Sequence, residues 1–290
     1  MIQGSFIAVD WGTTNRRAYL IEADGTVARH ERDAGGVTAI RPGGFADEAA
    51  AIRGRLGDLP MLCAGMVGSD RGWAKAPYIA CPAGLDELAG ALHWIEPGRT
   101  AILPGVSLLE HGRADVMRGE EVQLLGAAAA GLVPQDALLC QPGTHCKWAE
   151  LAAGRIRRFT TAMTGELFAL LKGHSLLAGL LGGTVAADAA FLEGVAAARR
   201  DDLLAGLFEL RAQVLLGRRP PDQGAAYASG LLIGSDVAAR PIGGSVHVLA
   251  EPGLGGLYRA AIEALGGRAV PVDVEQAFIR GMVEIRERCR

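Results

Sequence analysis

The 290-residue chain is long enough for one large α/β domain or two of about 130–150 residues, and half of it is hydrophobic, so a sizeable core can be buried. A net charge of −3 gives no reason to expect a nucleic-acid or membrane partner. The basic residues are 26 Arg and three Lys (Lys75, Lys147, Lys172), a bias that reads as genomic composition.

The opening "MIQGSFIAVDWG" has neither a basic n-region nor an apolar run of signal-peptide length. Phe6–Asp10 reads as a strand, "WGTTN" as a turn, Arg16–Ile21 as a strand, "EADG" as a turn and Thr26–Arg32 as a third strand. Asp24-Gly25 is a hairpin signal. The loop "GMVGSDRGWAKAPY" is Gly-rich and polar. A helix begins near Gly119 in "GEEVQLLGAAAAGL", with acids in its first turn that complement the helix dipole. The dipole there would lower a carboxylate's pKa. The Ala-rich interior suits close helix packing. From Asp136 a second series follows: strand Ala137–Cys140, turn "QPGTH", strand Cys146–Leu151, turn "AAGR", strand Ile156–Thr161. "RIRRF" reads as a solvated strand edge and Thr164 as a helix N-cap. Lys147 is either a surface strand residue or a functional one. "SVHVLAEPGLGGLYRAAIEALG" (245–266) reads as strand, Gly-rich turn and helix, with Tyr258 in the core. The five Cys (63, 81, 140, 146, 289) form no CxxC pair or zinc spacing and suit a reducing cytosol. No stretch reads as membrane-spanning, so the expected location is cytoplasmic.

The two hairpin series align at an offset of 131. Asp10 falls on Gln141, Gly12 on Gly143, Thr13 on Thr144 and Arg16 on Lys147, and each series runs into a Leu- and Ala-rich helical region. One recurrence half a chain away suggests two similar domains, since a solenoid needs more copies at a shorter period. A tight Gly-Thr turn gathers backbone N–H groups and hydroxyls into a concavity that suits anionic oxygens. Glycine lets the backbone approach the ligand. Two such turns could hold a polyphosphate, and an Asp can hold Mg²⁺ through water. There is no Walker A P-loop, GxSxG elbow or HExxH.

A strand–turn–strand phosphate loop used twice resembles the actin, Hsp70 and sugar-kinase superfamily. "AVDWGTTNRRAYL", "AGMVGSDRGWAKAPY" (64–78), "VMRGEEVQLLGA" (116–127), "QPGTHCKW" (141–148) and "MTGELFALLKGHS" (163–175) run in order over nearly the whole chain. Together they are similar to the 2-keto-3-deoxygalactonate kinases of bacterial galactonate catabolism. The resemblance implies an α/β fold of two actin-like (ribonuclease H-like) domains, each a mixed sheet flanked by helices, with an interdomain cleft. Residues 1–130 would form an N-terminal sugar and phosphate domain and 131–272 a nucleotide-binding domain. The last helix (about 273–290) would pack back on the first domain.

The implied reaction is ATP-dependent phosphorylation of 2-dehydro-3-deoxy-D-galactonate at its 6-hydroxyl, with ATP and Mg²⁺ as cofactors. Asp10 would be the Mg²⁺ ligand through water or the base. Glu120 is the preferred carboxylate of "RGEE", and the choice of base between the two stays open. Gly12, Thr13 and Thr14, and in the second domain Gly143, Thr144 and His145, would face phosphates. Gly253, Leu254 and Gly255 would lie under the adenine, although Glu251-Pro252 departs from the family's usual small residue after the strand. Substrate candidates are Asn15, Arg16, Gly68, Ser69, Arg71, Trp73, Lys75 and Arg118. A keto acid's carboxylate needs Arg or Lys, and an indole can pack a sugar's apolar face. A homodimer is allowed. The rival readings are a kinase of a related sugar acid or hexose, such as 2-keto-3-deoxygluconate, an actin-like ATPase switch without a sugar substrate, and a sugar-binding regulator.

Overall fold

The computed structural model describes residues 2, 4–200 and 202–289. In chain order the elements are β1 (Phe6–Trp11), β2 (Arg16–Ile21), β3 (Val27–Asp33), α1 (Phe45–Leu56), β4 (Met61–Ala64), β5 (Tyr78–Ala80), α2 (Leu85–Gly90), β6 (His93–Glu96), β7 (Thr100–Ile102), β8 (Gly105–Glu110), β9 (Arg113–Met117) and α3 (Glu120–Ala129). There follow β10 (Ala137–Gln141), β11 (Cys146–Ala152), β12 (Arg155–Ala162), α4 (Thr164–His174), α5 (Ala189–Ala197), α6 (Leu203–Leu215), α7 (Gly224–Ala238), β13 (Ser245–Leu249), α8 (Pro252–Ala264), β14 (Arg268–Val272) and α9 (Val274–Arg288). The chain divides into two compact units. The first comprises Met1–Asp136, Ala149–Phe159 and Asp273–Arg290; the second comprises Ala137–Trp148 and Thr160–Val272.

The main sheets share one strand order. The first runs β3-β2-β1-β4-β7-β6 and the second β12-β11-β10-β13-β14. In the first, β1, β2 and β3 are an antiparallel meander and β1, β4 and β7 run parallel, with β6 antiparallel at the edge. In the second, β10, β13 and β14 run parallel. Three consecutive hairpin-linked strands beside two later parallel ones is the actin-like, ribonuclease H-like arrangement. A separate three-stranded sheet, β5-β8-β9, is inserted in the first unit.

Strand β1 (FIAVDW) is buried along nearly its whole length, because a parallel-sheet strand covered on both faces reads as a continuous apolar run. Its alternate residues go to opposite faces. Ile7, Val9 and Trp11 join Phe45, Ala49, Ile52 and Leu56 of α1 in one core. Phe6, Ala8 and Asp10 share the other face, where Arg286 of α9 lies over the Phe6 ring at 5.3 Å. Helix α9 also packs on α3, and two glycines make that approach possible. A Cβ on Gly126 would meet the Ala277 carbonyl oxygen at 2.0 Å, and one on Gly281 the Val122 oxygen at 2.3 Å.

In the second unit, α7 is buried almost end to end. Buried Asp236 near its C-terminus accepts bonds from Trp148 Nε1 (3.0 Å), Thr164 Oγ1 (3.0 Å), Tyr258 Oη (3.1 Å) and Arg240 (2.8 Å). The sequence pattern did not single out this acid. It also corrects one expectation. The N-cap of α4 is Met163, without a side-chain cap, and Thr164 is the first helical residue, its hydroxyl taken by Asp236. Tyr258 lies in the core, as its pattern suggested. "RIRRF" is on the sheet's edge strand, with Arg157 and Arg158 paired to Glu150 at 2.8 and 2.6 Å. Lys147 is buried, and its ammonium donates to Thr161 at 3.1 Å, which removes the surface alternative.

Candidate functional site

The first-unit residues gather at the carboxyl ends of parallel strands, where open α/β sheets place their ligands. Asp10 is in register with Arg17 on β2 and Ala64 on β4. Beyond β4 the chain turns through Gly65 (φ 98°), where a Cβ would strike the Trp11 carbonyl oxygen at 2.8 Å. Gly119 (φ 105°), at the start of α3, comes so near that its own Cβ would reach Gly65 Cα at 2.9 Å. Two left-handed glycines thereby seat the N-terminus of α3 against the ends of β1 and β4, beside Asp10.

Asp10 is half-buried, and its carboxylate accepts no hydrogen bond among the described residues. Burial pushes its pKa up to about 6; Arg17 opposes the rise and Glu120 adds to it. Glu120 bonds the Arg118 backbone N–H at 3.2 Å, and Glu121 bonds the Gly119 N–H at 2.7 and 2.8 Å. Both acids thus fold back onto the backbone that leads into α3. The expectation that the dipole lowers a carboxylate here fails for Glu121. It is fully buried, and desolvation, reinforced by Glu120, pushes it up to about 8.

The first turn is closed by a Gly12 N–H bond to the Asn15 carbonyl at 3.0 Å. Thr13, Thr14 and Asn15 are exposed at its tip, and Asn15 Nδ2 donates to Thr14 Oγ1 at 3.1 Å. The backbone is braced from outside the hairpin: Val37 and Thr38 N–H groups bond the Gly12 and Thr13 carbonyls, each at 3.0 Å. Gly36 permits this, since its Cβ would lie 2.4 Å from Thr14 carbonyl carbon. The Gly35-Gly36 pair was the signal available in the sequence for this close approach.

Three substrate candidates are committed elsewhere. Arg16 is buried and pairs with Asp33 at 2.8 Å and Glu48 at 3.0 Å, over the Trp11 ring. Its guanidinium is held within the unit and is not presented at the turn. Arg118 is buried over Tyr78 at 4.3 Å and donates to the Ala76 carbonyl at 2.8 Å. Gly68 makes room for it, since a Cβ there would meet Arg118 Nη1 at 2.7 Å. Arg118 therefore shapes the 64–78 loop from inside. Trp73 is half-buried and stacks on Phe45 (6.4 Å, 12° between planes). Exposed Lys75 pairs with Asp70 at 2.9 Å. Ser69 Oγ accepts the Arg71 backbone N–H at 3.3 Å, and the Arg71 side chain is exposed without an ion pair among the described residues.

In the second unit the start of α4 sits directly on the second turn. Gly165 allows it: a Cβ would meet the Gly143 oxygen at 2.5 Å. The Glu166 N–H bonds the Thr144 carbonyl at 2.9 Å, and the Glu166 carboxylate meets His145 Nε2 at 2.5 Å. Glu166 is therefore a partner of His145 that helix-start reasoning alone did not reveal. The Gly-rich turn expected at 253–255 is instead the first turn of α8, which begins at Pro252. Proline at the first helical position is preorganised for a helix, and that overrides the turn signal of the glycines. Of Gly253, Leu254 and Gly255, only Gly255 lines a cavity of about 270 Å³, with Val248, Ala250, Pro252, Arg259 and Pro271 among its walls.

A family profile described as 2-keto-3-deoxy-galactonokinase matches residues 10–285. A Rhizobium meliloti (strain 1021) protein named "Probable 2-dehydro-3-deoxygalactonokinase" is 39% identical over 96% of this chain and 95% of its own. The Escherichia coli (strain K12) 2-dehydro-3-deoxygalactonokinase is 38% identical over 97% of each chain. A crystal structure from Sinorhizobium meliloti bearing the same enzyme name matches at a TM-score of 0.87 and 38% identity, covering 96% of this chain and 94% of that one.

Proposed function

The chain belongs to the 2-keto-3-deoxy-galactonokinase family, and we infer that it transfers the γ-phosphoryl group of ATP to the 6-hydroxyl of 2-dehydro-3-deoxy-D-galactonate in galactonate catabolism. The observation that carries the residue assignment is Asp10: a half-buried carboxylate without a hydrogen bond among the described residues, at the carboxyl ends of β1 and β4. Phosphoryl transfer is mostly positioning and charge stabilisation, so one acid, phosphate-facing turns and a carboxylate anchor form an adequate set.

Asp10, raised to about 6, is well tuned to receive the hydroxyl proton near neutral pH. Glu120 is the second carboxylate, and its charge supports that tuning. The exposed Thr13 and Thr14 hydroxyls and the backbone at Gly12 would contact phosphate oxygens, with Asn15 beside them. In the second unit Gly143, Thr144 and His145 take the same part, helped by the positive end of α4. Glu166 orients the His145 ring. Arg71 is the preferred anchor for the sugar acid's carboxylate, since it alone of the three arginines considered is exposed and unpaired among the described residues; Ser69 and Lys75 flank it. Gly255 and the neighbouring cavity would take the adenine edge.

Mg²⁺ fits this donor set. Among the described residues no group of three or more His, Cys, Asp or Glu could hold a metal by itself. Mg²⁺ is commonly bound by one or two carboxylates together with nucleotide phosphates. Asp10 is the carboxylate available to it, through water, and the ion when bound neutralises charge on the phosphates.

The test is ADP release from Mg-ATP, without sugar and then with 2-keto-3-deoxygalactonate, its gluconate epimer, galactose, glucose and glycerol. Release with the first alone is expected. Equal release with both keto-deoxy acids would remove the epimer assignment, and sugar-independent hydrolysis would overturn the kinase reading. A Mg²⁺ titration of Asp10→Asn then separates its two roles: kcat lost at saturating Mg²⁺ marks the base, and a raised Mg²⁺ requirement marks the ligand.

A further inference from the structure

Asp236 is buried near the C-terminus of α7, and its carboxylate is saturated. Oδ1 accepts from Trp148 Nε1 at 3.0 Å and from Arg240 at 2.8 Å. Oδ2 accepts from the hydroxyls of Thr164 at 3.0 Å and Tyr258 at 3.1 Å. A carboxylate offers about four lone-pair directions, and these donors fill them. Arg240, just past the end of α7, also neutralises the acid and lies over the Trp148 ring at 5.7 Å. Charge-assisted bonds in a low-dielectric interior are strong and directional, so the groups that make them are fixed relative to one another.

The other three donors each lead into a part of the second unit assigned above to the nucleotide. Thr164 opens α4. The next two residues seat that helix on the second turn: Gly165 lies where a Cβ would meet the Gly143 oxygen at 2.5 Å, and Glu166 bonds the Thr144 carbonyl at 2.9 Å and His145 at 2.5 Å. Trp148 follows His145 by three residues on β11. Tyr258 lies on α8 one turn beyond Gly255, which walls the cavity of about 270 Å³ together with Arg259. Three separate elements, α4, β11 and α8, are thus tied to one acid that touches none of the ligand-facing positions itself.

We propose that Asp236 is the positioning residue of the nucleotide half of the site. Through Thr164 it sets the start of α4, and with it the second turn, against the phosphates. Through Tyr258 it sets the roll of α8, and with it the base cavity. The proposal rests on the second unit being the nucleotide-binding one. Apolar packing around these elements is non-directional and leaves small shifts open. A saturated carboxylate closes them, and a displacement of about 1 Å can cost about a hundredfold in rate.

The test removes one hydroxyl at a time from the full chain and reads binding and turnover separately. Thr164→Val should lower kcat by about tenfold with the sugar-acid KM unchanged, and Thr164→Ser, which keeps the hydroxyl, should restore most of it. Tyr258→Phe should raise the Kd of Mg-ATP by about five- to tenfold in titration calorimetry without sugar, and the KM for ATP with it, while kcat stays within about twofold of wild type. Leu231→Ala is the control. It is buried in α7 against Leu207 and Leu210 of α6, and it should lower the melting temperature at least as far as either variant while leaving both constants unchanged. Thr164→Val and Tyr258→Phe variants that lose melting temperature alone, or a Leu231→Ala variant with the same kinetic losses, would overturn the proposal. A wild-type chain that binds no Mg-ATP would overturn the nucleotide reading of the second unit and the proposal with it.

Discussion

Asp10 is held near 6 by its burial and by Glu120, against the pull of Arg17. It must be ionised either to accept a proton or to face a cation. Because kcat/KM reports the free enzyme, it is expected to rise about tenfold per pH unit up to about 6 and then to level; a flat kcat/KM profile between pH 5 and 7 would contradict its role. Asp10→Ala should lower kcat by at least about a hundredfold with little change in melting temperature. Glu121 gives a stability prediction instead. Its pKa is raised from 4.5 to about 8, so the native state holds the proton more tightly than the unfolded chain does. Its favourable contribution is complete below 4.5 and is lost as pH rises to about 8, at about 1.4 kcal/mol per unit as an upper limit. Glu121→Gln can still accept the Gly119 N–H and does not titrate. Its melting temperature should gain on the wild type between pH 5 and 8. Parallel melting curves across that range would refute the shift.

At the scale of elements, backbone proximity sets the architecture. Helices α3 and α9 touch through Gly126 and Gly281, with no space for even a methyl group. Gly126→Ala should cost several kcal/mol, as overpacking does when the obstacle is backbone that cannot move aside. Gly54, on the exposed side of α1, has open space where a methyl group would sit, with no neighbouring atom within 4 Å. Gly54→Ala should stabilise by about 0.5–1 kcal/mol, the helix-propensity difference. Thermal or urea unfolding of the two variants checks both signs. The same proximity explains where helix-end reasoning failed. Thr164 resembles an N-cap by residue type, but buried Asp236 offers its hydroxyl a charged acceptor, and a charge-assisted bond outweighs a cap.

At the scale of the whole molecule, the chain returns to its first unit at the end. Phe278 packs 5.7 Å from Tyr19 between ring centres, and Arg286 donates to the Gly4 carbonyl at 2.8 Å. Ala277, Phe278, Met282 and Ile285 are buried on α9. The larger side chains contribute about 1.5–3 kcal/mol each. A chain ending at Val272 should therefore lose cooperative unfolding of the first unit and expose apolar α3. A truncated product with wild-type near-UV circular dichroism would show that α9 is dispensable.

Local pattern determined much of this protein without help. Apolar runs punctuated by Gly, Thr and Asp placed both hairpin series to within a residue or so of β1–β3 and β10–β12, and their repetition announced the duplicated actin-like sheet. These features are legible because strand alternation and turn chemistry act between neighbours in the chain. Asp10 was legible for the same reason, as an acid where an apolar strand meets a Gly-Thr turn. Tertiary structure alone decided which charges were available. Arg16, Arg118 and Arg71 look alike in sequence, yet Asp33 and Glu48 hold the first and the Ala76 carbonyl the second, leaving Arg71 at the surface. Glu166 gained His145 from 21 positions away, and Asp236 gained Tyr258, Thr164 and Trp148 from 22, 72 and 88 away. Charge pairing and desolvation depend on spatial neighbours brought in by folding, and no local window of sequence contains them.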